Sequence, residues 1–282
     1  MFLLACMSGA IAAAHAGTGR HPAATGTVRW ATNYAEARTA ALRLHRFLLL
    51  DLETDWCSWC RVMEADVYPA PRVAQELRTD YLCVKQNAES DPDGVTLQRR
   101  FGITTYPANI VVDPETGLYV TIDGYRNAPD FLADMEAATK QLSQLRDLSD
   151  RVAAQAANTE EREELAKAYA DRRLYDEAAK MYQILLTDPT VNLPPDDLFS
   201  AAVCLASAGD NRNALAAIND LETNFPDSAP APAAEALQGE ILWHAGETAA
   251  ARRVLEQWLE KFPTNPLADH VRAVLAETGQ AH

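Results

Sequence analysis

The sequence predicts an α/β fold, a mixed sheet flanked by helices, followed by an all-α helical-repeat region. Three observations carry this. Between Tyr34 and about residue 145, short apolar runs alternate with helix-period segments. From about residue 155 only helix-period patterning remains. Within that last region Pro189, Pro226 and Pro263 recur at one fixed spacing, and Gly209 and Gly246 repeat it. A chain of 282 residues is long enough for about two domains. The expected division is a signal peptide over 1–16, the α/β domain over 17–150 and the repeat domain over 151–282.

The elements follow in chain order. Residues 2–16 contain no Asp, Glu, Lys or Arg. They are too short to span a bilayer, which needs about 20 apolar residues. They read as the apolar core of an export signal, with Ala14-His15-Ala16 as a small-x-small cleavage site, although the basic start of such a signal is missing. A disordered or buried helix is the bland alternative, and Leu3-Leu4-Ala5-Cys6 also matches a lipoprotein box. Residues 17–33 are rich in Gly, Thr and Ala and read as a tether.

Tyr34–His45 has Ala, Leu and Tyr at i, i+3 and i+4 and reads as a helix. Phe47–Leu52 is a continuous apolar run broken only by Asp51, as suits a strand covered on both faces. Arg61–Ala65 and Arg72–Leu77 read as helices separated by Pro69 and Pro71. Tyr81–Lys85 is a second buried strand and Gly94–Phe101 a short helix. Asn109–Val112 is a third strand, turned by Pro114–Gly117 into an antiparallel partner at Leu118–Ile122. Asp130–Gln144 is an amphipathic helix. This order predicts a mixed sheet covered by helices.

The repeats begin with Leu165-Ala166 and Tyr169, continue through Leu205–Gly209, and end with Leu242–Gly246. Each unit reads as helix, polar turn, helix with Ala on its inner face, then Pro. The pattern resembles tetratricopeptide-type repeats, with a somewhat longer period; a plain helical bundle is the alternative.

Charge and cysteine usage exclude some functions. The net charge of −15 argues against nucleic acid as a partner, because phosphate binding needs clustered Lys and Arg. Residues 1–140 hold 13 Lys+Arg and 17 Asp+Glu, whereas residues 141–282 hold 12 and 23, so the acidity belongs mainly to the repeats. Five cysteines are too few and too scattered for a disulfide scaffold. Cys83 and Cys204 sit on apolar faces and read as core. His244, beside Trp243, reads as a surface or packing residue.

Cys57-Ser58-Trp59-Cys60 follows a buried strand and opens a helix. At a helix N-terminus, unpaired N–H groups and the helix dipole favour a thiolate. The Cys57 thiolate can attack a disulfide, and Cys60, one turn along, can resolve the mixed disulfide. Half a zinc site looks the same, but no second C-x-x-C or paired His supplies the remaining ligands, so neither metal nor cofactor is expected. Asp51, inside the apolar run, should have a raised pKa and could exchange a proton with Cys60 through water. Alternatively it is a buried carboxylate satisfied by a donor. Pro107 suits a cis bond beside the sulfurs or an ordinary trans turn. Lys85 either screens Asp51 or lies on the surface. Trp56 and Trp59 flank the cysteines and form an apolar rim for substrate or simply pack. Thr105 and Tyr106, just before Pro107, complete the candidate substrate contacts.

Together these residues resemble the thioredoxin fold. The resemblance runs from about Trp30 to Leu142. It rests on Asp51-x5-Cys57-Ser58-Trp59-Cys60, Lys85-x-Asn87, Phe101-Gly102-Ile103-x-x-Tyr106-Pro107 and Gly124-Tyr125. Val28-x-Trp30, Tyr34-x-Glu36-Ala37 and Asp55-Trp56 place it nearest the extracytoplasmic branch, similar to the C-terminal domain of the DsbD-type reductant conductor. The resemblance implies Cys57 as attacking cysteine, Cys60 as resolving cysteine, Asp51 as buried acid and Pro107 as cis-proline. It implies a thiol:disulfide oxidoreductase in a periplasmic or secreted setting. Its partners would be proteins with disulfides or thiols, a membrane reductant donor, and a protein docked on the repeats; no membrane span is expected in the mature chain. The Ser-Trp dipeptide departs from the Gly-Pro of thioredoxin. Because that dipeptide tunes a potential ranging roughly from −270 to −120 mV, the direction of electron flow stays open. The rival reading is a repeat-based adaptor whose thioredoxin fold is mainly scaffold.

Overall fold

The computed structural model describes residues 27–279. The expected signal segment 1–16 and Cys6 lie outside the described residues. The sheet contains β1 (Trp30–Ala31), β2 (Phe47–Glu53), β3 (Tyr81–Asn87), β4 (Ala108–Val112) and β5 (Tyr119–Asp123), in the order β1-β3-β2-β4-β5. β2 runs parallel to β3 and antiparallel to β4; β1 is parallel to β3 and β5 antiparallel to β4. The sheet is mixed, as expected.

β1 corrects the tether reading at Trp30–Ala31; residues 17–26 of that expected tether lie outside the described residues. Two residues are too few for a periodic signal, but Trp30 pairs in register with Cys83 and packs edge-on against Tyr68, with ring centroids 5.0 Å apart. The strand is held by an aromatic contact from elsewhere in the chain.

Alternation along β2 divides its side chains between two cores. Leu48, Leu50 and Leu52 face a cluster built with Tyr34, Ala37 and Ala41 of α1 (Tyr34–Leu44) and Leu97 and Phe101 of α4 (Pro92–Phe101). Leu49 faces the opposite cluster, which contains Met63, Val67 and Tyr68. Asp51 has the same parity as Leu49 and points to that second side, beneath the helical segment following the cysteines.

That segment is α2 (Ser58–Val62) continued by a π-helical turn, Met63–Val67. α3 (Pro71–Asp80) follows, with Pro71 in its first turn, where a missing N–H costs nothing. α5 (Ala128–Ala153) extends well beyond the expected Gln144, because its apolar stripe continues through Leu145 and Leu148. The expected boundary at residue 150 therefore falls inside α5. The second core is continuous from Leu49 and Met135 to Leu165, Tyr182 and Ile241. Polar contacts reinforce the junction: Arg146 of α5 donates to both oxygens of buried Asp113, and Arg172 Nε donates to Tyr119 O at 2.6 Å.

The remainder is helical: α6 (Thr159–Ala170), α7 (Tyr175–Thr187), α8 (Pro195–Ser207), α9 (Asn211–Asn224), α10 (Ala231–His244), α11 (Thr248–Lys261) and α12 (Ala268–Thr278). α6 packs on α7, α8 on α9 and α10 on α11. Pro189, Pro226 and Pro263 each follow the C-cap of the second helix of a pair. Gly209 and Gly246 occupy the turns inside the last two pairs, at φ of 83° and 82°. Among the described residues no helix is long and apolar enough to cross a membrane.

Candidate active site

β2 ends at Glu53, and the chain turns at once into the cysteine pair. Cys57 N–H donates to Thr54 O at 3.1 Å, which closes the turn. Cys57 is the N-cap of α2, with extended backbone, and its Sγ accepts from Cys60 N–H at 3.1 Å. Cys57 and Cys60 form a disulfide with Cα atoms 5.3 Å apart. Both are buried, so the pair presents only its edge to solvent.

Below the pair lies an ionic cluster. Asp51 is buried, and its Oδ2 is 3.1 Å from Lys85 Nζ. The same ammonium lies 3.4 Å from Glu53 Oε2 and 3.4 Å from Glu64 Oε1. It also sits over two ring faces, 4.9 Å from the Trp30 centroid and 5.4 Å from that of Tyr68. Burial raises the Asp51 carboxyl to about 6, against the opposing pull of Lys85. Burial draws Lys85 down, but Asp51, Glu53 and Glu64 outweigh it and hold the ammonium above its ordinary value. Tyr68 Oη lies 2.9 Å from Asn109 Oδ1, and its hydroxyl also neighbours the buried Asp51 carboxylate. Burial and the neighbouring Asp51 push the Tyr68 phenol well above its normal value.

The rim is aromatic. Trp56 and Trp59 are 65% and 54% exposed. Trp56 packs edge-on against Tyr106, with centroids 5.8 Å apart, and Trp59 packs against Tyr125 at 4.8 Å. Trp56 Nε1 donates to Glu89, whose two carboxylate oxygens lie 3.1 and 3.0 Å away. Asn87 at the end of β3 holds this side together, because its Nδ2 donates to Asp55 and its Oδ1 accepts from Glu89 N–H and Ser90 N–H.

The Tyr106–Pro107 peptide bond is cis. Pro107 precedes β4, whose Ala108 lies opposite Leu52 in β2. That register brings Pro107 to the end of the sheet from which the cysteines emerge. Thr105 is exposed and Tyr106 half-buried beside it.

The structure thus gathers Asp51, Cys57, Cys60, Trp56, Trp59, Thr105, Tyr106 and Pro107 at one end of the sheet. Lys85 is an enclosed member of the ionic cluster. Glu53, Glu64, Tyr68 and Glu89 belong to the surroundings of the site without standing out in sequence, and Trp30 of the Val28-x-Trp30 motif joins them there. Lys85-x-Asn87 at a strand end was the available signal for the β3 side; the carboxylates around it carry none. Cys83 and Cys204 are buried free thiols, and burial raises each to about 12, which suits packing and not exchange.

A C-x-x-C opening a helix beyond a central strand, over a buried acid and beside a cis-proline, defines a thioredoxin-like protein. The family model Thioredox_DsbH, described as a protein of unknown function, DUF255, matches residues 20–168, and the chain belongs to that family. The thiol:disulfide interchange protein DsbD of Haemophilus influenzae is 28% identical over 78 residues, which is 28% of this chain and 14% of that protein. The chain therefore spans only a small part of the curated relatives it matches. Among solved structures, a DsbH oxidoreductase is similar over 43% of this chain and 90% of its own, at 18% identity and a TM-score of 0.37. The oxidised C-terminal domain of Neisseria meningitidis DsbD is similar over 39% of this chain and 99% of its own, at 21% identity and a TM-score of 0.35.

Proposed function

We propose that the protein is a thiol:disulfide oxidoreductase that exchanges the Cys57/Cys60 pair with disulfides of partner proteins, acting as a reductase in an extracytoplasmic compartment. The observation that carries this is the placement of Cys57 as N-cap directly beyond β2, with Asp51 buried beneath the same helix. In the reduced protein the Cys57 thiolate attacks one sulfur of the partner disulfide and expels the other as thiolate. The mixed disulfide is then attacked by Cys60, whose proton leaves toward Asp51 Oδ1 through water. The partner gains two electrons and the pair returns to its disulfide. A membrane-bound reductant donor would recharge it. The Pro107 side of the site and the rim of Trp56, Trp59, Thr105 and Tyr106 would hold the substrate segment. The helical hairpins would dock a protein partner, in the manner of tetratricopeptide repeats. No further cofactor enters this scheme.

The test is reduction of insulin by the dithiol form together with a glutathione titration of the pair. A measurable two-electron couple is expected, with activity lost in Cys57→Ser and a trapped mixed disulfide in Cys60→Ser. A redox-inert pair, or activity surviving Cys57→Ser, would remove the reading. A partner still captured by the Cys57→Ser/Cys60→Ser double variant would favour the adaptor role.

A further inference from the structure

β4 is buried at all five positions, and Asn109 is its one polar residue. A primary amide in such a strand is costly unless its donors and acceptor are used. Asn109 is fully buried. Its Oδ1 lies 2.9 Å from Tyr68 Oη, but its Nδ2 is enclosed without a hydrogen-bond partner. The exchange chemistry described above makes no use of this donor.

The strand register sets what Asn109 faces. It lies directly opposite Asp51 across the antiparallel β2–β4 pair. Directly opposed residues project from the same face of a sheet, with Cβ atoms about 4.5–5.5 Å apart. The Tyr68 hydroxyl neighbours both side chains. Asn109, Tyr68 and Asp51 therefore share one enclosed polar site beneath the helix that Cys57 caps. The other ionisable groups around Asp51 are Lys85 and Cys83 from β3, Glu53 from β2 and Glu64 from the π-helical turn. Lys85 is the one cation among them, and three carboxylates share it. A neutral donor claimed by no other acceptor adds to what Lys85 supplies. Hydrogen bonds to a carboxylate favour its charged form, and a carboxylate is a stronger acceptor than a neutral group.

We propose that Asn109 is a positioning residue for Asp51: its Nδ2 donates to the carboxylate, directly or through one water, and with the Tyr68 hydroxyl keeps Asp51 ionised and ready to take the Cys60 proton. The proposal rests on the oxidoreductase reading and deepens it. In the resolving step Cys60 Sγ gives its proton to Asp51 through water, bonds to Cys57 Sγ and displaces the partner sulfur as thiolate. The partner leaves reduced by two electrons, and the cysteine pair is oxidised by two. Asn109 makes and breaks no covalent bond in this step. It sets how much of Asp51 is available as base at a given pH.

The test compares Asn109→Val, Asn109→Thr and Tyr68→Phe with the wild type in the full chain. Val and Thr have nearly the same shape and both suit a strand, but only Thr offers a donor. In the disulfide form the Asp51 carboxyl carbon should titrate about one pH unit higher in Asn109→Val than in the wild type, with Asn109→Thr between them. Tyr68→Phe, which removes only the hydroxyl, should shift the midpoint in the same direction. The dithiol form mixed with dithiobis(nitrobenzoate) releases chromophore twice, on attack by Cys57 and on resolution by Cys60. In Asn109→Val the second phase should be about threefold slower at pH 6.5 and should reach the wild-type rate by pH 9, where Asp51 is ionised in both proteins. The first phase should change little. An Asp51 midpoint in Asn109→Val equal to that of the wild type, or equal shifts in the Val and Thr variants, would overturn the inference. A wild-type protein with no second phase would remove the oxidoreductase reading and the resolving step with it. The titration needs no activity, so it separates that failure from a failure of the Asn109–Asp51 contact.

Discussion

Lys85 Nζ lies 3.1 Å from Asp51 Oδ2, and it is the closest cation to a carboxylate that β2 carries into the core. The pairing does not fully offset burial, because the Asp51 carboxyl still rises to about 6. An acid whose pKa is higher in the folded state binds a proton there that the unfolded chain has lost. Its contribution therefore weakens the fold as pH rises from the ordinary value of 3.8 through about 6. The difference corresponds to roughly 3 kcal/mol at pH 8. We expect Asp51→Asn to remove this component. Urea denaturation should show the variant gaining stability relative to the wild type between pH 5 and pH 8. A constant difference across that range would show that Asp51 titrates normally.

Removing the cation should act in the opposite sense. In Lys85→Met the buried Asp51 loses its ion-pair partner, and its carboxyl should titrate above the wild-type value of about 6. Breaking one half of a buried pair costs about 3–5 kcal/mol when the remaining charge stays ionised. The loss should be large at pH 8 and much smaller at pH 5, where Asp51 is protonated. Carboxyl carbon shifts of Asp51 in the two proteins measure the titration directly. An unshifted midpoint would assign the control of Asp51 to burial alone.

The same pair shows what the sequence can and cannot reveal. Asp51, Cys57, Cys60 and Pro107 were legible because their chemistry is marked locally: a carboxylate in an apolar run, two thiols one turn apart, a proline before a strand. Lys85 was ambiguous because its role depends on Glu53, Glu64, Trp30 and Tyr68, which converge from β1, β2 and the helix after the cysteines. β1 was missed for a related reason, since its order comes from the Trp30–Tyr68 contact and from pairing with β3. The end of α5 was placed early because one helix serves both the sheet and the helical hairpins, so its apolar stripe does not stop where the sheet does.

The aromatic rim should affect protein substrates more than small ones. Trp56 and Trp59 are largely exposed, so Trp56→Ala and Trp59→Ala should leave the fold nearly unchanged. Each removes a ring pair, Trp56–Tyr106 or Trp59–Tyr125, of the kind worth about 0.5–1.5 kcal/mol beyond its area. If a bound polypeptide packs on these pairs, kcat/KM for insulin should fall roughly threefold to tenfold. Exchange with glutathione, which covers less of the rim, should change less. Equal losses for both substrates would mean that the rings tune the disulfide and do not hold the partner.

Two glycines in the helical hairpins should respond differently to the same substitution. Gly239 lies in α10 where it meets α11, and a Cβ there would stand 2.4 Å from Leu255 Cδ2 and 2.6 Å from its Cγ. Leu255 is fully buried, so it has little room to turn away. Overpacking of this kind costs about 1–3 kcal/mol. Replacing a helical glycine with alanine returns about 1 kcal/mol. Gly239→Ala should therefore be modestly destabilising, and Gly239→Val clearly more so. Gly209 has open space around its Cβ direction but a φ of 83°. Gly209→Ala should cost about 1–2 kcal/mol from backbone conformation alone. Asn tolerates the left-handed region better than Ala, so Gly209→Asn should recover part of that loss, while Gly239→Asn should recover none. Thermal denaturation of the five variants separates the two causes. Recovery by Asn at both sites would refute the close α10–α11 approach.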